Sequence, residues 1–331
     1  MTELHIRHQF RDLGEYYVTN LFQSLHKHLK NKYPHVKFII SNQENYEDYG
    51  YGSIYSCMNF SIVNPETSKY ILVSLFDNWK YHFMKHLGWE SEKMVQFFYA
   101  GGFNFFDYFH FRMIEKDNPD VHLPANITEI YKSFYYNPFS DRHDELKREL
   151  YGARNSKETK DILYFRGYMW DFRKDLVQGI GKDSSVLIID KNKNTQDLLD
   201  YDKYLRDISM YRCALSLPGG TEICNRDIEC FGIGVPVIRP HLDINYPDPL
   251  LPNYHYISCY HDCKYLHGSP EYVNPKEFKK YLIYYWEKVK DNFEYLDFIS
   301  HNAREWYIKN CTLDQNIKYL LNNIDLELLY G

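Results

Sequence analysis

The feature that most constrains this chain is a series of short apolar runs separated by helical stretches in its second half. The runs are "ILYF" (162–165), "VLIID" (186–190), "CALSL" (213–217), "VPVI" (235–238) and "YIS" (256–258). A polar helical stretch fills 195–211, and another helix is expected from about 222. Strands that alternate with helices in this way build a parallel sheet wrapped by helices.

The first half reads as α/β too. Residues 11–32 place Val18, Leu21, Phe22, Leu25 and Leu29 at helical spacing, and "VKFII" (36–40), "YILVSLF" (70–76), "VQFFYAGGF" (95–103) and "EIYKSFYY" (129–136) read as strands. From 138 to 161 the chain turns polar and charged, as expected for a helix followed by a linker, which sets a domain boundary near 155. A length of 331 residues suits two domains of about 150 residues each, with a cleft between them. Asn274-Pro275 caps a helix whose face carries Phe278, Leu282, Tyr285, Val289 and Phe293, and a last helical region spans roughly 299–327. The division expected is 1–155, 156–300 and a segment 301–331 that crosses back to the first domain.

Within 215–240, "LSLPGGTEICNRDIECFGIGVPVIRP", a strand runs into Gly219, Gly220 and Thr221 and then into a helix. In an open parallel sheet, ligands sit beyond the carboxyl ends of the strands, where helix N-termini present free N–H groups and partial positive charge. Paired glycines let a bulky anion approach the backbone closely. Arg226, one turn into the helix, can add a planar fork for a diphosphate, and Glu229, three residues on, can accept from ribose hydroxyls. The same spacing also fits a loop glycine pair followed by an intrahelical Arg–Glu pair. Neither GxxxxGK[ST] nor GxGxxG is present, so P-loop and ordinary NAD readings fall.

Composition narrows the ligand. Hydrophobic residues make up 44% and charged residues 25%, and the formal charge of −6 offers no broad basic field for nucleic acid, so an anionic ligand must be gripped locally. Seven cysteines without a CxxC pair argue for reduced thiols. The N-terminus has no apolar h-region and no 18-residue apolar run occurs, so neither a signal peptide nor a membrane span is expected; a cytoplasmic location follows as an expectation.

The segments "YLRDISMYRCALSLPGGTEICNRDIECFGIGVPVIRP", "YPDPLLPNYHYIS" and "ILYFRGYMWDFRKDL" together resemble the donor-binding half of GT-B glycosyltransferases. The likeness is to exostosin-like enzymes and the protein O-glucosyltransferase (capsule-associated) type, and it covers about 160–260. It rests on Arg226, Glu229, Gly234 and Val235-Pro236-Val237, with "HYI" (255–257) and "FRG" (165–167) alongside. The resemblance implies two Rossmann-like α/β domains, a UDP- or GDP-linked sugar as co-substrate, and a glycan or glycoprotein hydroxyl as acceptor. By position it implicates Arg166, Arg173, Arg226 and Glu229 in holding the donor. Some retaining members carry two glutamates separated by seven residues, whereas Glu222 and Glu229 have six between them, which turns the helix face by about 100° and favours an inverting enzyme.

Inversion needs a base to deprotonate the acceptor, expected from the first domain. Asp77, at the end of "ILVSLFD", is the first candidate and Asp48, in "NYEDYGYG", the second; either also fits a loop aspartate capping the next element. His82 and His86 share a helix face but lack the glutamate of HExxH, and Asp200-Tyr201-Asp202 lies in a helical stretch, so no metal and no obligatory cofactor is expected. The rival readings are a non-catalytic nucleotide- or carbohydrate-binding protein and a sugar-nucleotide epimerase.

Overall fold

The computed structural model describes residues 2–8, 19–42, 59–74, 91–99, 131–135, 143–154, 158–169, 171–177, 180, 185–190, 200–217, 223–242, 248–260 and 274–331. The chain divides into two compact units, one made of Met1–Pro138 with Leu313–Gly331, the other of Phe139–Thr312. Both are α/β.

The first unit holds a sheet in the order β2-β1-β3-β4-β5-β6, formed by β1 (Thr2–His8), β2 (Val36–Asn42), β3 (Asn59–Val63), β4 (Tyr70–Ser74), β5 (Met94–Tyr99) and β6 (Tyr131–Ser133). Only β3, among these described strands, runs against its neighbours, so the sheet is mixed. Helix α1 (Thr19–Lys32) lays Leu21, Phe22, Leu25 and Leu29 on it, all buried. Two of these strands, β1 and β3, go beyond the sequence reading.

The second unit's sheet is parallel throughout, in the order β11-β10-β9-β7-β8, from β7 (Lys160–Gly167), β8 (Val186–Asp190), β9 (Tyr211–Leu215), β10 (Val237–Pro240) and β11 (Ile257–Tyr260). The inner strands bury nearly every side chain, which is why they read as continuous apolar runs. Around the sheet lie α2 (Asp144–Arg154), α3 (Asp171–Val177), α4 (Tyr201–Ser209), α5 (Asn225–Ile233), α6 (Pro275–Val289) and α7 (Phe293–Asn310). Leu163, Phe165, Leu215, Ile238, Ile257, Phe278, Leu282 and Trp286 form its core.

The sequence boundary near 155 differs from the division at Pro138/Phe139. Helix α2 belongs with the second unit because its Lys147 is fully buried there, donating to Tyr307 Oη on α7 at 2.8 Å. Arg154, at the end of α2, donates to the carbonyls of Ser209, Tyr211 and Arg212. On α6 the buried stripe runs through Phe278, Leu282, Trp286 and Val289, while Phe293 is exposed and opens α7. Asn274 does cap α6, accepting from the Lys276 amide at 3.0 Å, with Pro275 in the first turn. Helix α8 (Leu313–Asn323) and the 3-10 turn Leu326–Leu329 complete the first unit.

Candidate functional site

Strand order 2-1-3-4-5, here read as β8-β7-β9-β10-β11, reverses direction between β7 and β9. That switch point is where doubly wound sheets leave a crevice beyond the carboxyl ends. Arg166-Gly167 closes β7, Ser216-Leu217 follows β9, and α5 begins at Asn225. The expected glycine-led loop, Gly219, Gly220 and Thr221, lies outside the described residues, as do Asp48, Asp77, His82 and His86.

Two arginines converge on this point. Arg173 of α3, buried, donates from Nη1 to Tyr168 O at 3.2 Å and from Nη2 to Leu217 O at 3.0 Å, tying the segment after β7 to the one after β9. Burial lowers its pKa from the ordinary guanidinium value; Arg226 acts in the same direction and Cys224 and Asp227 against it. Arg226, in the first turn of α5 and 8% exposed, donates from Nη2 to Arg166 O and lies over the Phe165 ring at 4.2 Å. Its Nε and Nη1 have no hydrogen-bond partner of normal geometry among the described residues, although the Tyr204 hydroxyl on α4 lies within electrostatic reach of the guanidinium.

Unmatched donors on a buried guanidinium are costly. A buried donor left unmatched costs about 1–3 kcal/mol, more when charged, and domain stability totals only about 5–15 kcal/mol. The Phe165 ring covers the flat of the guanidinium, and of the in-plane donors only Nη2 is matched, by Arg166 O. The close fit of Arg226 also explains Gly167, where a Cβ would lie 2.7 Å from Arg226 Nη2 and 3.1 Å from the Phe165 ring.

The N-terminus of α5 is built to keep that positive charge. Asp227 Oδ2 accepts from the Cys224 amide at 2.8 Å, a carboxylate in the first turn that would by itself repel an anion. Arg239, fully buried on β10, pairs with the same Asp227 oxygen at 2.5 Å and cancels it. Cys224, in the N-cap place, sets Sγ 3.0 Å from Ser216 Oγ.

Glu229 is brought to the same buried face of α5, 5% exposed. Burial raises its pKa above the usual carboxylate value; the Arg226 charge, the nearby hydroxyls of Tyr201 and Tyr204 on α4, and Lys147 oppose that rise. Arg166 is placed differently. Its Nε donates to Tyr164 Oη at 2.7 Å and stands 3.3 Å from Asp207 Oδ2 on α4, and Tyr164 donates to the same carboxylate. Its backbone carbonyl meets Arg226; its guanidinium is engaged with α4.

No motif in the sequence singles out Asp227, Arg239, Lys147 or the Tyr201/Tyr204 pair. Arg239 stands in "VIRP", a cation inside an otherwise apolar strand, which was the available signal; Tyr201 and Tyr204, three apart on one helix face, gave a weaker one. Asp200 caps α4 by accepting from the Lys203 amide at 2.8 Å, and Asp202 stands 2.9 Å from His143. Among the described residues no group of three His, Cys, Asp or Glu could hold a metal ion, and no helix is long and apolar enough to cross a membrane.

No family model and no curated protein matches the sequence. Among solved structures the chain is similar to a glycosyltransferase from Rickettsia africae, at 14% identity and TM-score 0.46 over 78% of this chain and 71% of that one. It is similar to Anabaena Alr3699/HepE in complex with UDP and glucose, at 10% identity and TM-score 0.44 over 98% and 100%. A TarM variant of S. aureus matches at 12% identity and TM-score 0.35 over 86% and 66%.

Proposed function

We propose that this chain is a GT-B-type glycosyltransferase that moves a sugar from a nucleoside-diphosphate donor to a hydroxyl acceptor, with inversion and without a metal. One observation carries the reading: Arg226 sits buried at the first turn of α5, beside the switch point, with Nε and Nη1 unmatched. A diphosphate supplies what those donors lack, since its oxygens accept from a guanidinium fork and are favoured at a helix N-terminus. Arg173, a second cation within electrostatic reach of Arg226, adds to the field.

In this reading Arg226 and the first amides of α5 stabilise charge as it builds on the departing diphosphate, without metal assistance. Attack by the acceptor on the anomeric carbon from the opposite side expels the diphosphate and inverts configuration. Asp77, or failing it Asp48, is proposed as the base that takes the acceptor proton. The resemblance to the exostosin-like and O-glucosyltransferase type, the glycan acceptor and the cytoplasmic location belong to the same proposal.

The test compares wild type with Arg226→Ala and Arg226→Lys against UDP- and GDP-linked sugars, reading binding by calorimetry and release of free nucleoside diphosphate. Loss of one or two charge-assisted hydrogen bonds, each about 1.5–3 kcal/mol, predicts at least a tenfold weaker affinity for Arg226→Ala. Lysine, a point charge without the fork, restores only part of it. Binding without turnover by wild type would make the chain a binding protein, and sugar interconversion without acceptor an epimerase.

A further inference from the structure

Helix α6 buries Phe278, Leu282, Trp286 and Val289 in the core of the second unit. Its opposite side has a different chemistry. Lys276, Lys280, Tyr284 and Lys288 follow one another at four-residue spacing, a row about 18 Å long on one helix face, and Tyr281 stands beside it. Tyr284 is 58% exposed, more than any other large hydrophobic among the described residues, and Tyr281 is 43% exposed. Among the described residues no ion pair engages Lys276, Lys280 or Lys288. The acidic groups of the helix have other partners: Glu287 takes Lys290 Nζ at 2.6 Å, and Glu277 accepts from Tyr260 Oη at 3.4 Å. Asp291 and Glu294 come only after α6 has ended. From 275 to 290 five lysines stand against two glutamates, in a chain whose formal charge is −6.

We propose that this side of α6 seats the protein on an anionic lipid surface, with the lysines on headgroup phosphates and the two tyrosine rings just beneath them. Lysine stems are long and apolar, so the ammonium groups reach phosphates while the stems lie along the surface. Tyrosine, an apolar ring with a polar tip, favours the same boundary. A tyrosine set between ammonium groups therefore matches the layered chemistry of a lipid interface, charge outside and apolar matter directly below. A nucleic acid or an acidic protein offers the charge without that apolar layer. The buried stripe of α6 stays in the core, so the contact is peripheral and reversible. Each lysine contributes about fivefold in partitioning, and salt screens the attraction over about 8 Å at physiological ionic strength. The proposal draws nothing from the donor site and stands or falls apart from it.

The experiment sediments the full chain with vesicles of phosphatidylcholine alone and of phosphatidylcholine mixed with phosphatidylglycerol, at low and at high salt. Wild type binds the mixed vesicles, leaves them at high salt and ignores phosphatidylcholine. Lys280→Gln with Lys288→Gln weakens that binding by about 25-fold, from about fivefold for each lysine. Tyr281→Ser with Tyr284→Ser weakens it several-fold although the charge is unchanged. All four side chains are exposed, so the melting curves of both variants stay as in wild type. Lys27→Gln with Lys30→Gln removes the same charge from exposed positions of α1 and leaves vesicle binding intact. Failure of wild type to bind the mixed vesicles overturns the proposal. An equal loss in the α1 variant overturns it too, since net charge and not this row then governs binding. So does a tyrosine variant that binds as tightly as wild type, which makes the row a general polyanion contact with no lipid character.

Discussion

A guanidinium buried within a parallel sheet is tolerable only when its charge is matched, and Arg239 is matched by Asp227. Removing one member of a buried pair strands the other at a cost of about 3–5 kcal/mol, whereas replacing both is often near neutral. Arg239→Met should therefore lower stability by that amount in urea unfolding, and Arg239→Met with Asp227→Asn should recover most of it. Gly167 makes a subtler point. Gly167→Ala forces Arg226 Nη2 to move away from a new Cβ, and a side chain pushed off its rotamer costs about 0.5–1.5 kcal/mol. Nucleotide affinity should drop several-fold by calorimetry while the melting temperature changes little. At this scale the placing of Arg226 and Glu229 on one helix after β9 was legible, because a strand-to-helix junction is a local pattern; the helix starts at Asn225 and not at about 222, which puts Arg226 in its first turn, and spacing alone left their role open. The placement of the Arg166 side chain was not. Strand alternation puts Tyr164 and Arg166 on one side and Phe165 and Gly167 on the other, and only the packing of α4 decides what each side meets.

Helix α5 is capped locally at its start and held at its end by groups distant in sequence. Its N-terminus carries the Asp227–Cys224 bond. At its C-terminus Gly234 adopts φ 68° with Ser300 Oγ donating to its carbonyl at 2.7 Å, and Arg304 donates to Gly232 O. Left-handed backbone costs an L-residue about 1–2 kcal/mol, and a Cβ at Gly234 would lie 2.4 Å from the Tyr151 ring. Gly234→Ala should therefore lower the melting temperature by several degrees; an unchanged melting curve would show that the α2–α5 contact yields freely. Elements with short apolar runs, β7 and β9 to β11, were readable because burial on both faces leaves few polar interruptions, Arg212 and Arg239 among them. Strand β1 was not, since Leu4 and Ile6 alternate with His5 and Arg7 over only seven residues, and β3 needed the pairing with β4 to declare itself. The end of α6 was misjudged for a related reason: Phe293 continues the helical spacing, but the chain turns after Val289 and Phe293 opens the next helix.

On the scale of the whole molecule, the chain visits the first unit, builds the second, and returns. Asn64 Nδ2 and Thr67 Oγ1 donate to Leu329 O at 3.1 and 2.8 Å. Gln96 donates to Asn323 O at 3.0 Å and accepts from the Asp325 amide at 2.9 Å. Leu329 is fully buried, and Leu329→Ala should cost about 2–5 kcal/mol. Hydrogen exchange should locate the loss in β3, β4 and α1, leaving amides of β7 and β9 protected and UDP-glucose affinity unaltered. A last segment crossing back was expected from 301, whereas Leu313–Gly331 belongs to the first unit and α7 to the second; the position of the other boundary was not legible, because α2 is as charged as a linker and only the burial of Lys147 assigns it to the second unit. The account stands or falls on what meets Arg226. A crystal structure with a bound nucleoside-diphosphate sugar is the most direct measurement: diphosphate oxygens within hydrogen-bond distance of Nε and Nη1 are the expected result, and a nucleotide seated elsewhere, with those two nitrogens still unmatched, would contradict it.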